Sequence, residues 1–284
     1  MAIKDVLLSL ASYPDRTADA SIDRALDIAA ELGCRTTALT FEAEFDFVRS
    51  SGAFTRMVID LREMAREESV KSSANAKALL SHFSEEARRR GLEHETVLAK
   101  SSAFTLPEAL VEHAKFHDLT IIPVQDGYGA EQWYAETTIF GSGRPVLVLP
   151  GPSKFRPSPL LSCAVIAWDF GAPAARALGE AMPLLEKAGH VQLVTVRGEK
   201  HISSKHAHRE MAQHLKAHGI EASFREIDAA GRSATDAIHA FLAEVDASLL
   251  VMGAYGHSRM REFVLGGVTR SMLDQPAVPV FLSH

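Results

Sequence analysis

Short apolar runs alternate twice along this chain with longer stretches carrying Ala and Leu at three- and four-residue spacing. Ile3-Lys4-Asp5-Val6-Leu7-Leu8-Ser9-Leu10 and Ser162-Cys163-Ala164-Val165-Ile166-Ala167-Trp168 both read as buried strands. Each is followed by a helical pattern, Ser21 to Leu32 and Ala174 to Ala188. Each of these reaches a glycine, Gly33 or Gly189, expected to close its helix in the left-handed conformation. Second strands follow over Thr36 to Phe41 and Val191 to Val196, and the match resumes where Arg90-Gly91-Leu92 faces His218-Gly219-Ile220. Further helices are predicted over Leu106 to Phe116 and Ala234 to Val245, and further strands over Leu119 to Val124 and Leu249 to Met252. Pro145 and Pro279 each introduce a last strand, a position where a missing backbone donor costs no essential ladder bond.

Strands alternating with helices of this size require crossovers, and right-handed crossovers place helices on both faces of a parallel sheet. The predicted fold class is therefore α/β, with two tandem doubly wound five-stranded parallel-sheet sandwich domains, residues 1–150 and 160–284. Between them, Pro150 to Pro159 is too dense in proline and glycine for regular structure. The first repeat carries extra residues from Glu42 to about Leu80, read as a loop over the sheet edge that passes into a charged amphipathic helix ending at Arg90.

At 284 residues, 46% hydrophobic and 23% charged, the chain is that of a globular protein with full cores. A net charge of -6 gives no general attraction to nucleic acid or anionic lipid, and no run approaches the length of a membrane span. The N-terminus lacks the pattern of an export signal, so the expected location is the cytoplasm. The two cysteines, Cys34 and Cys163, lie at apolar runs and read as buried thiols, with no base in sight to activate them. His113 with His117 and His214 with His218 have the spacing of one helix face but lack a third ligand, so no metal site is expected; His201, His206 and His208 read as exposed loop.

The segment that carries chemistry follows the fourth strand of the second repeat, from Met252 to Thr269. In an open parallel sheet a ligand sits beyond the carboxyl ends of the strands, where the strand order reverses. Gly253 and Gly256 carry no side chain to hold a ligand away, and Gly266-Gly267-Val268 would offer free amides at the start of the last helix to a phosphate. His257, Arg259 and Arg261 add basic groups, and Thr269 adds a hydroxyl. Asp169, just past the first strand of this repeat, is a suitable acceptor for ribose hydroxyls or an adenine amino group, or a cap for the following helix.

The spacing Gly-x2-Gly-x9-Gly at Gly253, Gly256 and Gly266 resembles the phosphate-loop motif of universal stress proteins, with one departure: Gly267 stands where that family has Ser or Thr. The resemblance implies the adenine-nucleotide α-hydrolase type of fold and an ATP site in the C-terminal half, with magnesium as the ion that could accompany the nucleotide. It also implies that Ala167 and Trp168 line the adenine-ribose side with Asp169, that Val196 contacts the base, and that Met252 flanks it. Two alternatives stay open beside this regulatory binding: a nucleotide-free interaction or small-molecule module with a vestigial motif, and a slow ATP-hydrolysing enzyme. The first repeat lacks the motif; its acidic Asp126 and Glu131 would repel a triphosphate, and another ligand could lie beneath the Phe45 to Phe54 loop. By the same resemblance the last strands of the two halves pair antiparallel as an intrachain pseudo-dimer, with a homodimer as a further option. No catalytic residue is assigned.

Overall fold

A computed structural model describes residues 2–45, 55–125, 129–156, 158–197, 204–254 and 267–284. In the N-terminal half the strands are β1 (Asp5–Leu10), β2 (Arg35–Glu44), β3 (His94–Ser102), β4 (Leu119–Pro123) and β5 (Val146–Leu149), with helices α1 (Asp19–Leu32), α2 (Thr55–Arg89), α3 (Leu106–Ala114) and α4 (Glu131–Gly141). The C-terminal half repeats the plan with β6 (Cys163–Ala167), β7 (His190–Arg197), β8 (Ala222–Asp228), β9 (Leu249–Gly253) and β10 (Val280–Ser283), and with α5 (Ala172–Leu185), α6 (Ser204–Ala217), α7 (Ala234–Glu244) and α8 (Gly267–Asp274).

Among the described residues, ten strands form one sheet in the order β3-β2-β1-β4-β5-β10-β9-β6-β7-β8. Neighbours within each half are parallel, and the two halves meet where β5 and β10 pair antiparallel, Leu147 opposite Phe281. The expected pseudo-dimer is thus present, and each half covers an edge that the other would otherwise leave open. Because side chains alternate across a strand, each strand feeds two cores. Val6, Leu8, Ile166, Val251 and Phe281 pack with helices α1, α2, α5 and α6; Leu7, Val165, Leu250 and Leu282 pack with α3, α4, α7 and α8.

Local sequence explains most element ends and corrects some expectations. Gly33 does close α1 in the left-handed region, at φ 68°, where its amide returns to the Ala29 and Ala30 carbonyls. Gly189 does not do the same. Pro183 removes a donor near the end of α5, the helix stops at Leu185, and Gly189 instead lies so close to β6 that an added Cβ would sit 3.0 Å from the Ser162 carbonyl oxygen. The extra segment of the first half is mostly helix: α2 already begins at Thr55, and Ser72, Ala76, Leu79, Phe83 and Ala87 form its fully buried stripe. The linker is not wholly irregular, since Pro152–Lys154 makes one 3-10 turn. Among the described residues, no helix is long and apolar enough to cross a membrane.

Candidate nucleotide site in the C-terminal half

The strand order of the C-terminal half reverses at β6, which has β7 on one side and β9 on the other, with Ala167 opposite both Val194 and Met252. The chain leaves β6 towards α5 on one face and leaves β9 towards α8 on the other, so a crevice opens between the two carboxyl ends. Ala167, Met252, Val196 and Val268 all pack on the α7/α8 side, which brings four residues of the predicted set to the face where α8 begins. Trp168 turns the other way. Its amide donates to the Val194 carbonyl at 2.8 Å, while its ring packs in the α5/α6 core and meets the edge of Phe170 at 6.0 Å.

Asp169 is partly buried, and its Oδ1 accepts the Gly171 amide at 2.7 Å. This turn precedes α5, whose N-cap residue is Gly171, so Asp169 shapes the entry to the helix without standing at the cap itself. The residue between them, Phe170, is held at φ 63°, a left-handed conformation that costs a bulky side chain about 1–2 kcal/mol. Its ring stacks on His208, which faces Glu226 across 3.7 Å. His208 therefore belongs to α6 and to a packed aromatic cluster, against the expectation of an exposed loop; His206 also lies on α6.

The glycines divide into two kinds. A Cβ on Gly253 would lie 2.4 Å from the Ala174 nitrogen and 2.5 Å from the Pro173 carbonyl carbon. The room left by its missing side chain is thus filled by the backbone of α5, a use that glycine spacing alone does not reveal. Gly267, the first residue of α8, is exposed, with nothing within 4 Å of where a Cβ would stand. Thr269, within the first turn, is buried. Gly256, His257, Arg259, Arg261 and Gly266 lie outside the described residues.

The corresponding mouth of the N-terminal half is built differently. Residues 11–18 make a longer connection from β1 to α1 than residues 168–171 make from β6 to α5, whereas residues 124–130 join β4 to α4 by a shorter path than residues 254–266 join β9 to α8. Helix α2 reaches the β1–β2 end: Ser72 and Ser12 hydroxyls lie 2.8 Å apart, the Ala43 amide donates to Ser72, and Asn75 donates to the Ser12 carbonyl. Phe45 packs edge-on to Tyr13 at 4.8 Å, and the rest of the Phe45 to Phe54 loop is outside the described residues, as is Asp126. Glu131 is 3% exposed. The expectation that it repels a triphosphate did not foresee this burial, which no sequence signal marks.

Other candidates resolve as structure. Burial pushes the Cys34 thiol up to about 11 and raises that of Cys163, which removes both from nucleophilic chemistry at neutral pH. The His117 ring donates to the His113 carbonyl at 3.0 Å, beyond the end of α3, and the His214 and His218 rings meet edge-on at 5.1 Å, with His218 3.5 Å from Glu186.

The fold has counterparts among known proteins. The model of the Universal stress protein family matches residues 164–284. No curated protein matches the chain. Among solved structures, a universal stress protein from Archaeoglobus fulgidus DSM 4304 aligns over 98% of this chain and 97% of its own at 19% identity, with a TM-score of 0.67. A putative universal stress protein from Pseudomonas aeruginosa UCBPP-PA14 aligns over 99% and 93% at 15% identity, with a TM-score of 0.61. A shorter one from Archaeoglobus fulgidus, in complex with dAMP, covers 52% of this chain and 98% of its own at 16% identity, with a TM-score of 0.33. Residues 164–284 thus match the model of the Universal stress protein family, and the whole chain shares its tandem α/β fold with the two solved structures that align along its length.

Proposed function

We propose that the C-terminal half binds an adenine nucleotide, ATP by the glycine spacing, as a regulatory ligand of a stress-response protein, and that the N-terminal half does not. The observation that carries this reading is the meeting of β6, β9 and the first turn of α8 at one crevice. Ala167, Met252, Val196 and Val268 supply an apolar wall there, Asp169 stands at the entry, and Gly267 leaves the helix start open. An apolar wall suits a base, and free amides at a helix start suit a phosphate. Among the described residues, the wall and helix start carry no carboxylate or imidazole to act as a general base.

Gly253 supports a rival reading. Its conservation of space serves helix packing, so the glycine motif could be structural and the chain a nucleotide-free interaction module. The discriminating measurement is mass spectrometry of any nucleotide released on denaturing protein purified without added ligand, together with ATP calorimetry. ATP recovery and a one-site isotherm are expected; absence of both overturns the proposal. Asp169→Asn, which keeps an acceptor for the Gly171 amide, should weaken ATP by roughly 10-fold or more through loss of one charged hydrogen bond. Unchanged affinity would remove Asp169 from the site.

A further inference from the structure

The two halves place opposite residues at one corresponding position. Val6 of β1 pairs with Leu119 of β4 as Ala164 of β6 pairs with Leu249 of β9, so α4 and α8 are counterparts. The first residue of α8 is Gly267, exposed and with open space beside it; the first residue of α4 is Glu131, whose side chain is almost wholly buried. A helix start is where unpaired amides and the macrodipole favour negative charge. In the C-terminal half that position is open, and in the N-terminal half the chain's own carboxyl group fills it.

The carboxyl group is held by Gln125, which also ties it to the β1–α1 connection. Gln125, just past β4, donates to Glu131 Oε1 at 3.2 Å and to the Arg16 carbonyl of the β1–α1 connection at 3.4 Å. The Glu131 backbone amide also bonds the carboxyl group. Oε2 is buried without a hydrogen-bond partner. It occupies the space a side chain at Gly129 would need, since a Cβ there would be 2.0 Å away. Burial outweighs the hydrogen bonds and raises the pKa of the Glu131 carboxyl group above its ordinary value. A carboxyl group with one oxygen unpaired is costly in a core, so apolar packing does not account for it.

We propose that Glu131 is a tethered plug: its carboxyl group fills the anion position at the start of α4, closes the N-terminal half to phosphate ligands, and hides a latent second anion site. The proposal uses the C-terminal site only as a template for where phosphates sit. It deepens the reading that the N-terminal half is not a nucleotide site, and it stands or falls separately from occupancy of the C-terminal half.

The test is calorimetric titration of the full chain with pyrophosphate and with ATP, comparing wild type, Glu131→Ala and Glu131→Gln. Glu131→Ala should bind one more equivalent of pyrophosphate than wild type, whether wild type binds one or none. Glu131→Gln, which still fills the space, should gain none. A wild-type count of zero with one for Glu131→Ala supports the plug and refutes the C-terminal site; one for both proteins, with native circular dichroism, does the reverse. A gain by Glu131→Gln as well would mean repulsion without filling and overturns the plug. Should Glu131→Ala fail to fold, Gly129→Ala displaces the carboxyl group by steric force, and an unchanged count for that folded variant overturns the proposal equally.

Discussion

Two glycines in one motif region make opposite predictions. At Gly253 an added methyl would strike the Ala174 and Pro173 backbone, and neither strand β9 nor helix α5 can give way as a flexible side chain could. Gly253→Ala should therefore cost about 1–3 kcal/mol, as overpacking does in a tight core. At Gly267 the same methyl enters open space at the first position of a helix, and the unfolded chain loses freedom, so Gly267→Ala should be neutral or stabilise by up to about 1 kcal/mol. Denaturant midpoints at an unchanged slope would check both; equal effects at the two sites would contradict this assignment. Glycine spacing pointed to the right crevice because it follows a buried strand and precedes a helix. It did not tell a glycine that admits a ligand from one that admits a helix, because that depends on α5, some 80 residues earlier in the chain.

At the scale of elements, legibility follows burial. Strands such as Val6 to Leu10 and Leu249 to Met252 announce themselves because both faces are covered, so the run is almost continuously apolar. Helix α2 hid its beginning because only one stripe of it packs and the rest is charged surface; its period is visible once Leu79 and Phe83 are placed against α1. Glu131 hid because an acidic residue in a loop-like stretch reads as solvated until the fold buries it. Helix α2 also seals the β1–β2 mouth, through the Ser72 hydroxyl, which reaches Ser12 and accepts the Ala43 amide at 2.9 Å. Ser72→Ala should leave that buried amide unpaired and cost about 1–3 kcal/mol. The neighbouring Lys71→Ala, on the exposed side, should change stability by no more than about 0.5 kcal/mol. Similar losses at both positions would argue against α2 as a polar seal.

For the whole molecule, the question is whether two repeats behave as two domains. Their joint is more than one strand pair. Leu147 and Leu149 share a core with Leu249, Val251 and Phe281 on one face, and Val146 and Val148 share the other with Leu250, Val280 and Leu282. On the first face the Glu31 carboxylate of α1 accepts the Leu160 and Leu161 amides at 2.8 Å each, and Arg24 donates to the Ser158 carbonyl at 2.9 Å. Linked domains move and melt independently when their interface is small and polar, and here the interface is a continuous core. Unfolding either half would strip the antiparallel partner from the last strand of the other and expose its edge, so neither half can open without cost to both. Thermal unfolding should accordingly be one cooperative transition, with calorimetric and van't Hoff enthalpies in agreement. Phe281 is wholly buried opposite Leu147, and Phe281→Ala, which should cost about 3–5 kcal/mol, would lower that single transition as a unit. Two calorimetric peaks, of which only one moves with this substitution, would mean that the halves fold as separate bodies and that the joined sheet carries no shared stability.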